Sequence, residues 1–305
     1  MRRVSDAVER VVERVRGVYG RWRRDTPVAQ MRADWNALFA NSVAAEIAAA
    51  VVGGVPCEWV RPAGARRDAA VVYLHGGGFR MGSLVSHREI MARLAAEVGV
   101  QVLGVDYRLA PEHPMPAALE DTLAVLDGLE QAGAGRIALA GDSAGGALAL
   151  GAMIARLRQG KSAPTAAYLM SAWTDLTASG ESYDTRSGLD PIHQRPMILA
   201  IARAALSAGA TAKDPLLSPL FAEAETLSRL PPLLMQVGER ETLVSDSEDF
   251  AARARAAGAP ARCDIWPGMI HVFQQFPDDL FEAREAVAAG ARFLAAHLEG
   301  SESRS

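Results

Sequence analysis

Gly141-Asp142-Ser143-Ala144-Gly145 fits the pattern G-x-S-x-G and lies between two different kinds of predicted secondary structure. The apolar run 136–140 before it is typical of a buried strand, and the alanine-rich segment 144–159 after it is typical of a helix. In this strand–turn–helix context the glycines permit a turn that is too tight for larger side chains. The stretch therefore predicts that Ser143 is an exposed nucleophile at the carboxyl end of a strand.

From residue 57 onward, short apolar runs alternate with helical patterns. The predicted strands are 57–61, 69–74, 100–105, 136–140, 166–170, 233–237 and 262–266. The predicted helices are 86–97, 116–131, 144–159, 245–257 and 279–298. Several of the strands are almost continuously apolar, as strands buried on both faces are. The alternation predicts an α/β fold with a mostly parallel central sheet flanked by helices.

Two segments interrupt this alternation. Residues 1–50 are interpreted as helical without a strand, and residues 176–222 separate two strands by far more than an ordinary crossover. Long insertions in compact folds are usually lids or binding elements. We therefore predict N-terminal cap helices in 1–50, a core formed by 51–175 and 223–305, and a cap insertion in 176–222 that includes a helix near 196–208.

Residues 1–24 have an amphipathic pattern. Its apolar positions at helical spacing are Val4, Val8, Val11, Val12, Val15, Tyr19 and Trp22. Such a helix can lie on an anionic membrane surface or pack on its own protein. We favour packing on the protein, because most amphipathic helices bury their apolar stripe. Arg2 and Arg3 precede no apolar segment, so the N-terminus does not resemble a signal peptide.

The composition excludes several functional classes. The chain has 305 residues, half of them hydrophobic, and a net charge of -4, which argues against nucleic acid as the main partner. No apolar stretch is long enough for a membrane span. Cys57 and Cys263 form neither a disulfide framework nor a CxxC pair, and no metal site is expected. A cytoplasmic location is the expectation that follows.

The sequence His75-Gly76-Gly77-Gly78 follows the predicted strand 69–74. Consecutive glycines let the backbone approach a substrate and point several N–H groups at one position. Such donors stabilise the negative oxygen of a tetrahedral intermediate. We predict an oxyanion hole formed by the N–H groups of Gly77 and Gly78, with Ala144 as the third donor.

The general base should be a histidine after the last strand, because serine, acid and histidine follow one another in that order in chains with these motifs. Five of the six histidines are less suitable by position: His75, His87, His113, His193 and His297. His271 lies in the loop after strand 262–266 and is the predicted base. Its acid should follow strand 233–237, where Glu241 is the preferred candidate and Glu239 and Asp246 are the alternatives.

These motifs together resemble the hormone-sensitive-lipase-like family of bacterial esterases, a branch of the α/β-hydrolases. The resemblance covers residues 55–298 and includes the sequence DYRLAPEHP at 106–114 and the histidine loop at 267–273. It implies a helical cap made from both interrupting segments, short- to medium-chain acyl esters as small-molecule substrates, no cofactor, and homodimerisation through the last strand and terminal helix. Many members carry Asp-Pro-Leu where this sequence has Glu241-Thr242-Leu243.

The function predicted from this reasoning is that of a serine carboxylesterase. A lactone hydrolase, or a deacetylase of acetyl esters or amides, would use the same catalytic residues and is the alternative. A ligand-binding receptor, such as the plant gibberellin receptor that resembles this family, is a remote alternative, because that receptor has lost the catalytic histidine. Ser143 and His271 are both present in this sequence.

Several further side chains have predicted roles. Residues of the two cap segments are expected to line the substrate pocket, with core packing as the alternative: Met31, Trp35, Phe39, Met197 and Ile201. Arg108 and Glu112 are predicted to serve in a structural ion pair. Asp142 is expected to accept hydrogen bonds beside the nucleophile.

Overall fold

The computed structural model describes residues 6–23, 25–41 and 43–299, and within them eight strands form one sheet. The strands are β1 (Glu46–Val52), β2 (Val55–Arg61), β3 (Arg66–Leu74), β4 (Val100–Val105), β5 (Arg136–Asp142), β6 (Ala167–Met170), β7 (Leu233–Gly238) and β8 (Ala261–Trp266). The helices are α1 (Asp6–Tyr19), α2 (Val28–Phe39), α3 (Leu84–Val98), α4 (Ala117–Gln131), α5 (Ala144–Arg158), α6 (Ser182–Thr185), α7 (Arg195–Ala205), α8 (Ala224–Leu227), α9 (Val244–Ala257) and α10 (Phe281–Leu298). Two short 3₁₀ helices span Pro219–Phe221 and Phe273–Gln275.

The sheet has the order β1-β2-β4-β3-β5-β6-β7-β8. All neighbours from β4 to β8 are parallel, whereas β1 and β2 pair with antiparallel neighbours. Helices α3 and α10 bury one face of the sheet, and α4, α5 and α9 bury the other. This arrangement confirms the predicted α/β fold with a mostly parallel sheet flanked by helices.

The seven predicted strands all exist, but the expectation of no strand before residue 50 was wrong. Strand β1 pairs with β2 along its whole length, from Glu46 opposite Arg61 to Val52 opposite Val55. Gly53 and Gly54, both with positive φ, form the turn between the two strands. The three alanines of β1 have a low strand propensity, so this run resembles a helix in sequence. The predicted boundary at residue 50 therefore falls inside β1.

Helix α1 packs on its own protein. The predicted stripe is buried at Val8, Val11, Val12 and Val15, and these valines form a cluster with side chains near the C-terminal end, including Phe273. Val4, Arg2 and Arg3 lie outside the described residues. Among the helices described, none is long and apolar enough to cross a membrane.

The parallel register brings the loops of interest to one edge of the sheet. Leu74 of β3 lies opposite Gly141 of β5, and Asp142 lies opposite Met170 of β6. The next neighbour, β7, continues the register with Gln236 opposite Met170. Because parallel strands end together at this edge, the loops that follow β3, β5, β6 and β7 converge there.

Candidate active site

Ser143 lies on a sharp turn between β5 and α5. Its backbone φ is +49°, in the left-handed region that residues other than glycine rarely adopt. A Cβ atom on Gly145 would lie 1.9 Å from the carbonyl oxygen of Leu74, so only glycine fits where α5 crosses the end of β3. The close approach of helix and strand holds the Ser143 side chain out at the edge of the sheet.

A continuous hydrogen-bonded chain runs from this serine to a buried carboxylate. His271 Nε2 is 3.0 Å from Ser143 Oγ, and His271 Nδ1 is 2.6 Å from Glu241 Oε2. These distances let the serine hydroxyl donate to Nε2 while Nδ1–H donates to the carboxylate. The structure thus brings together the three residues that the sequence predicts as nucleophile, base and acid.

The second carboxylate oxygen of Glu241 fixes the position of the acid. Oε1 accepts hydrogen bonds from the hydroxyl of Ser171 at 2.7 Å and the N–H of Gly238 at 2.5 Å. Ser171 Oγ also accepts from the N–H of Val272, next to His271. Ser171 therefore joins the acid loop to the histidine loop, a role with no signal in the sequence.

The charge of Glu241 controls the protonation of His271. Burial lowers the pKa of this imidazole, but the charge and the hydrogen bond of Glu241 outweigh that effect and raise the pKa above its ordinary value. Glu241 itself is fully buried, so its interaction with the imidazole is little screened by solvent.

The two alternative acids have other partners. Glu239 accepts a hydrogen bond from the N–H of Gly268 at an exposed position. Asp246 is buried in the first turn of α9, where it accepts from the N–H of Asp175 and the hydroxyl of Tyr183. Burial, reinforced by Asp175, raises the pKa of Asp246 well above its usual range. Of the three candidates, only Glu241 has a described hydrogen bond to His271.

The glycine loop after β3 presents N–H groups beside Ser143. Gly77 and Gly78 have φ of +114° and +63°, and in the described part of the chain neither N–H donates to a backbone carbonyl. Both residues line the same cavity as Ser143. Ala144 is the first residue of α5, where an N–H has no acceptor within its own helix. This geometry suits the predicted oxyanion hole.

Asp142 accepts hydrogen bonds that stabilise the glycine loop after β3. Its Oδ1 accepts from the hydroxyl of Tyr73 at 2.9 Å and from the N–H of Gly76 at 3.0 Å. Burial alone would raise the pKa of Asp142, but the nearby His87 and the hydrogen bond from Tyr73 lower it below its ordinary value. A charged acceptor is therefore buried behind the glycines and holds the first of them in place.

The segment 106–114 also supports the loop. The hydroxyl of Tyr107 donates to the carbonyl of His75 at 2.6 Å, and the N–H of Ala110 donates to the carbonyl of Phe79. Arg108 and Glu112 both form ion pairs, but not with each other. Arg108 forms ion pairs with Asp121 and Glu120 on α4. Glu112 forms a bidentate ion pair with Arg32 of α2. The second pair links α2 to the segment that supports the glycine loop.

A cavity of about 430 Å³ opens above Ser143. The five cap residues predicted to line a pocket all lie on it: Met31, Trp35, Phe39, Met197 and Ile201. The first three come from α2 and the other two from α7, so both segments that the sequence analysis predicts as caps contribute to the wall of the cavity. Most of the lining is apolar, which suits a small organic substrate.

A second histidine, His193, lines the cavity beside His271, which its position in the sequence does not indicate. His193 is buried in the loop before α7, and its ring lies edge-on against that of His271 with centroids 4.5 Å apart. Burial, with a further effect of His271, lowers the pKa of His193 to about 3. The N–H of His193 donates to Asp190, which also accepts from Thr242 beside Glu241. The segment 176–222, predicted as a cap insertion, is therefore hydrogen-bonded to the loop that carries Glu241.

A family model described as the α/β hydrolase fold matches residues 71–275. The chain belongs to this family. It is 39% identical over 246 residues to an acetyl-hydrolase of Streptomyces hygroscopicus, with 80% of each chain covered. It is 34% identical over 258 residues to an esterase of Acinetobacter venetianus, with 84% of each chain covered.

Solved structures give the same family. An esterase from the bacterial hormone-sensitive lipase family superposes with a TM-score of 0.91 at 37% identity, covering 97% of this α/β hydrolase and 99% of the other chain. An esterase/lipase from an uncultured bacterium superposes with a TM-score of 0.88 at 34% identity, covering 96% and 99%. The predicted resemblance to hormone-sensitive-lipase-like esterases is thereby confirmed.

Proposed function

We propose that this chain is a serine carboxylesterase that hydrolyses short- to medium-chain acyl esters through an acyl-enzyme. The observation that carries the proposal is the hydrogen-bonded chain from Ser143 through His271 to Glu241 at the base of an apolar cavity. Membership of the esterase branch supports the same reaction.

In the acylation step, Ser143 Oγ attacks the ester carbonyl and His271 Nε2 takes the hydroxyl proton. The carbonyl oxygen becomes negative and accepts from the N–H groups of Gly77, Gly78 and Ala144. Glu241 holds Nδ1–H and stabilises the imidazolium. The imidazolium then gives its proton to the alcohol oxygen as the ester C–O bond breaks, leaving an acyl-serine and a free alcohol.

In the deacylation step, water takes the place of the alcohol. His271 Nε2 removes a proton from the water as its oxygen attacks the acyl carbon, and the same donors hold the second oxyanion. The proton returns to Ser143 Oγ when the acyl–serine bond breaks. A carboxylic acid leaves, and the catalytic residues return to their starting states.

The volume of the cavity limits the size of the acyl or alcohol group that can bind beside Ser143. Its volume of about 430 Å³ lies at the lower end of ordinary small-molecule sites. Helices α2 and α7 form its walls, so Met31, Trp35, Phe39, Met197 and Ile201 would contact the substrate. Deacetylation of acetyl esters is the second candidate, which the similarity to an acetyl-hydrolase favours. We also propose a cytoplasmic location and a homodimer formed through β8 and α10.

The test is turnover of p-nitrophenyl acetate, butyrate and longer esters by the wild type and by Ser143→Ala. We expect wild-type turnover that declines at long chain lengths, and loss of nearly all of it in the variant. Equal rates in the two proteins would exclude the serine mechanism. A steep preference for acetate would select deacetylation.

A further inference from the structure

Two arginines are among the residues that line the otherwise largely apolar cavity above Ser143. Arg80, which follows the oxyanion loop, and Arg23, which follows α1, both line it. Of the described residues on the cavity wall, only Asp142 is acidic, and its carboxylate binds Tyr73 and Gly76 behind the loop. The positive charge in this cavity therefore has no carboxylate facing it among those residues.

Arg80 is half-buried and unpaired. Its two Nη atoms keep accessible surface and have no described hydrogen bond, and no carboxylate of the described chain lies within ion-pair distance of the guanidinium. The nearby Arg32 differs, since it donates to the carbonyl of Arg80 and binds both carboxylate oxygens of Glu112. The Nη donors of Arg80 have no acceptor in the described chain, so a carboxylate that reaches them through the cavity displaces no existing ion pair.

Arg23 adds a second, weaker contribution. Its Nη1 donates to the carbonyls of Gly20 and Trp22, which are neutral acceptors. These bonds orient the guanidinium without cancelling its charge. Arg23 is exposed, so solvent screens it more than Arg80.

We infer that Arg80, assisted by Arg23, forms a carboxylate-binding subsite, and that the preferred substrates are esters that carry a free carboxylate, such as half-esters of dicarboxylic acids. The inference rests on the proposed esterase function, because the subsite and Ser143 share one cavity. A guanidinium presents a planar fork of donors that matches a carboxylate. The apolar walls strengthen this attraction relative to bulk water.

The experiment compares monomethyl adipate with methyl hexanoate, which have the same acyl length and differ by the terminal carboxylate. The ratio of their kcat/KM values is measured at low ionic strength in the wild type and in Arg80→Gln. Intrinsic reactivity cancels when the two ratios are compared. We expect the ratio to fall about tenfold in the variant, as for loss of a hydrogen bond to a charged group.

Three controls sharpen this comparison. Arg80→Lys keeps the positive charge but loses the planar arrangement of guanidinium donors, so the ratio of the two kcat/KM values should be intermediate. Arg292→Gln makes the same change of charge at an exposed position on α10 and should leave the ratio at the wild-type value. The butyrate ester of para-hydroxybenzoate, compared with phenyl butyrate, places the carboxylate on the alcohol side. A ratio that depends on Arg80 only for this pair would assign the carboxylate to the alcohol.

A second measurement separates the subsite from turnover. Calorimetric titration of adipate into Ser143→Ala, with and without Arg80→Gln, should show affinity about tenfold weaker in the double variant. Equal adipate affinities, or ratios independent of Arg80 for both ester pairs, would overturn the subsite even if p-nitrophenyl butyrate is hydrolysed. Failure of the wild type to exceed Ser143→Ala on p-nitrophenyl butyrate would instead overturn the esterase function.

Discussion

The two carboxylate oxygens of Glu241 bind different partners: Oε2 contacts His271, and Oε1 is held by Ser171 and Gly238. A glutamine at this position would keep the shape but lose the charge that stabilises the imidazolium. We expect Glu241→Gln to lower kcat for p-nitrophenyl butyrate by roughly two to four orders of magnitude. Glu239→Gln is the matched control and should retain activity, because the N–H of Gly268 is the one partner described for the Glu239 side chain. Comparable losses in both variants would reopen the assignment of the acid.

The raised pKa of His271 fixes the direction of the pH dependence. The imidazole must be neutral to accept a proton from Ser143, so kcat/KM should increase with pH through a value above the ordinary 6.5. His193, with a pKa of about 3, stays neutral over this range and should add no second step. A profile of kcat/KM against pH checks both points, and a rising limb centred below 6.5 would contradict them.

The sequence could predict Ser143 because it occupies a specific motif, and it could predict His271 because this histidine lies in the loop after the last strand. It left the acid open because three acidic residues follow one strand, and spacing does not reveal which carboxylate faces the histidine. Ser171 and His193 were not predicted, since a serine after a short strand and a histidine in an insertion carry no pattern. Their contacts depend on how separate loops meet at the sheet edge.

At the scale of elements, the crossing of α5 over the end of β3 determines where Ser143 lies. An alanine Cβ at position 145 would come within 1.9 Å of the backbone oxygen of Leu74, which cannot move without displacing β3. We expect Gly145→Ala to lower the free energy of unfolding by about 3 kcal/mol and to abolish activity. Urea denaturation measures the first effect.

Gly17 provides the control for that substitution. It lies in α1, and a Cβ atom added there would have no neighbour within 4 Å among the described residues. Gly17→Ala should therefore stabilise the helix by about 1 kcal/mol. A Gly145→Ala protein as stable as Gly17→Ala would show that the crossing tolerates a side chain and would contradict the packing argument.

Elements buried on both faces were predictable, since continuous apolar runs identify them. The missed strand β1 is an edge strand that relies on pairing with β2 rather than on its own propensity. The partner of Glu112 was equally inaccessible, because Arg32 on α2 lies 80 residues before it in the chain. Arg108 instead pairs with Asp121 of the helix that follows it, which the pattern of charges alone did not identify. Hydrophobic patterns in the sequence indicate burial and periodicity, whereas these features depend on which segments and side chains pair with each other.

At the scale of the whole molecule, helices α2 and α7 are far apart in sequence and line one cavity. Met31 of α2 lines it, so a change of volume there should change the acyl-chain preference. We expect Met31→Trp to lower kcat/KM for p-nitrophenyl octanoate relative to acetate by about tenfold, and Met31→Ala to shift the preference toward longer chains. Unchanged ratios in both variants would place the acyl group elsewhere.

The left-handed backbone conformation that positions Ser143 also lowers the stability of the fold. Holding a side chain there costs about 1–3 kcal/mol, which the surrounding fold must offset. Ser143→Gly should therefore be inactive but melt at a higher temperature than Ser143→Ala, which keeps a side chain in the same conformation. A lower melting temperature for the glycine variant would refute this. If this prediction is confirmed, selection for thermostability alone would favour inactive variants at this position. Thermostability screens of this protein must therefore measure turnover as well.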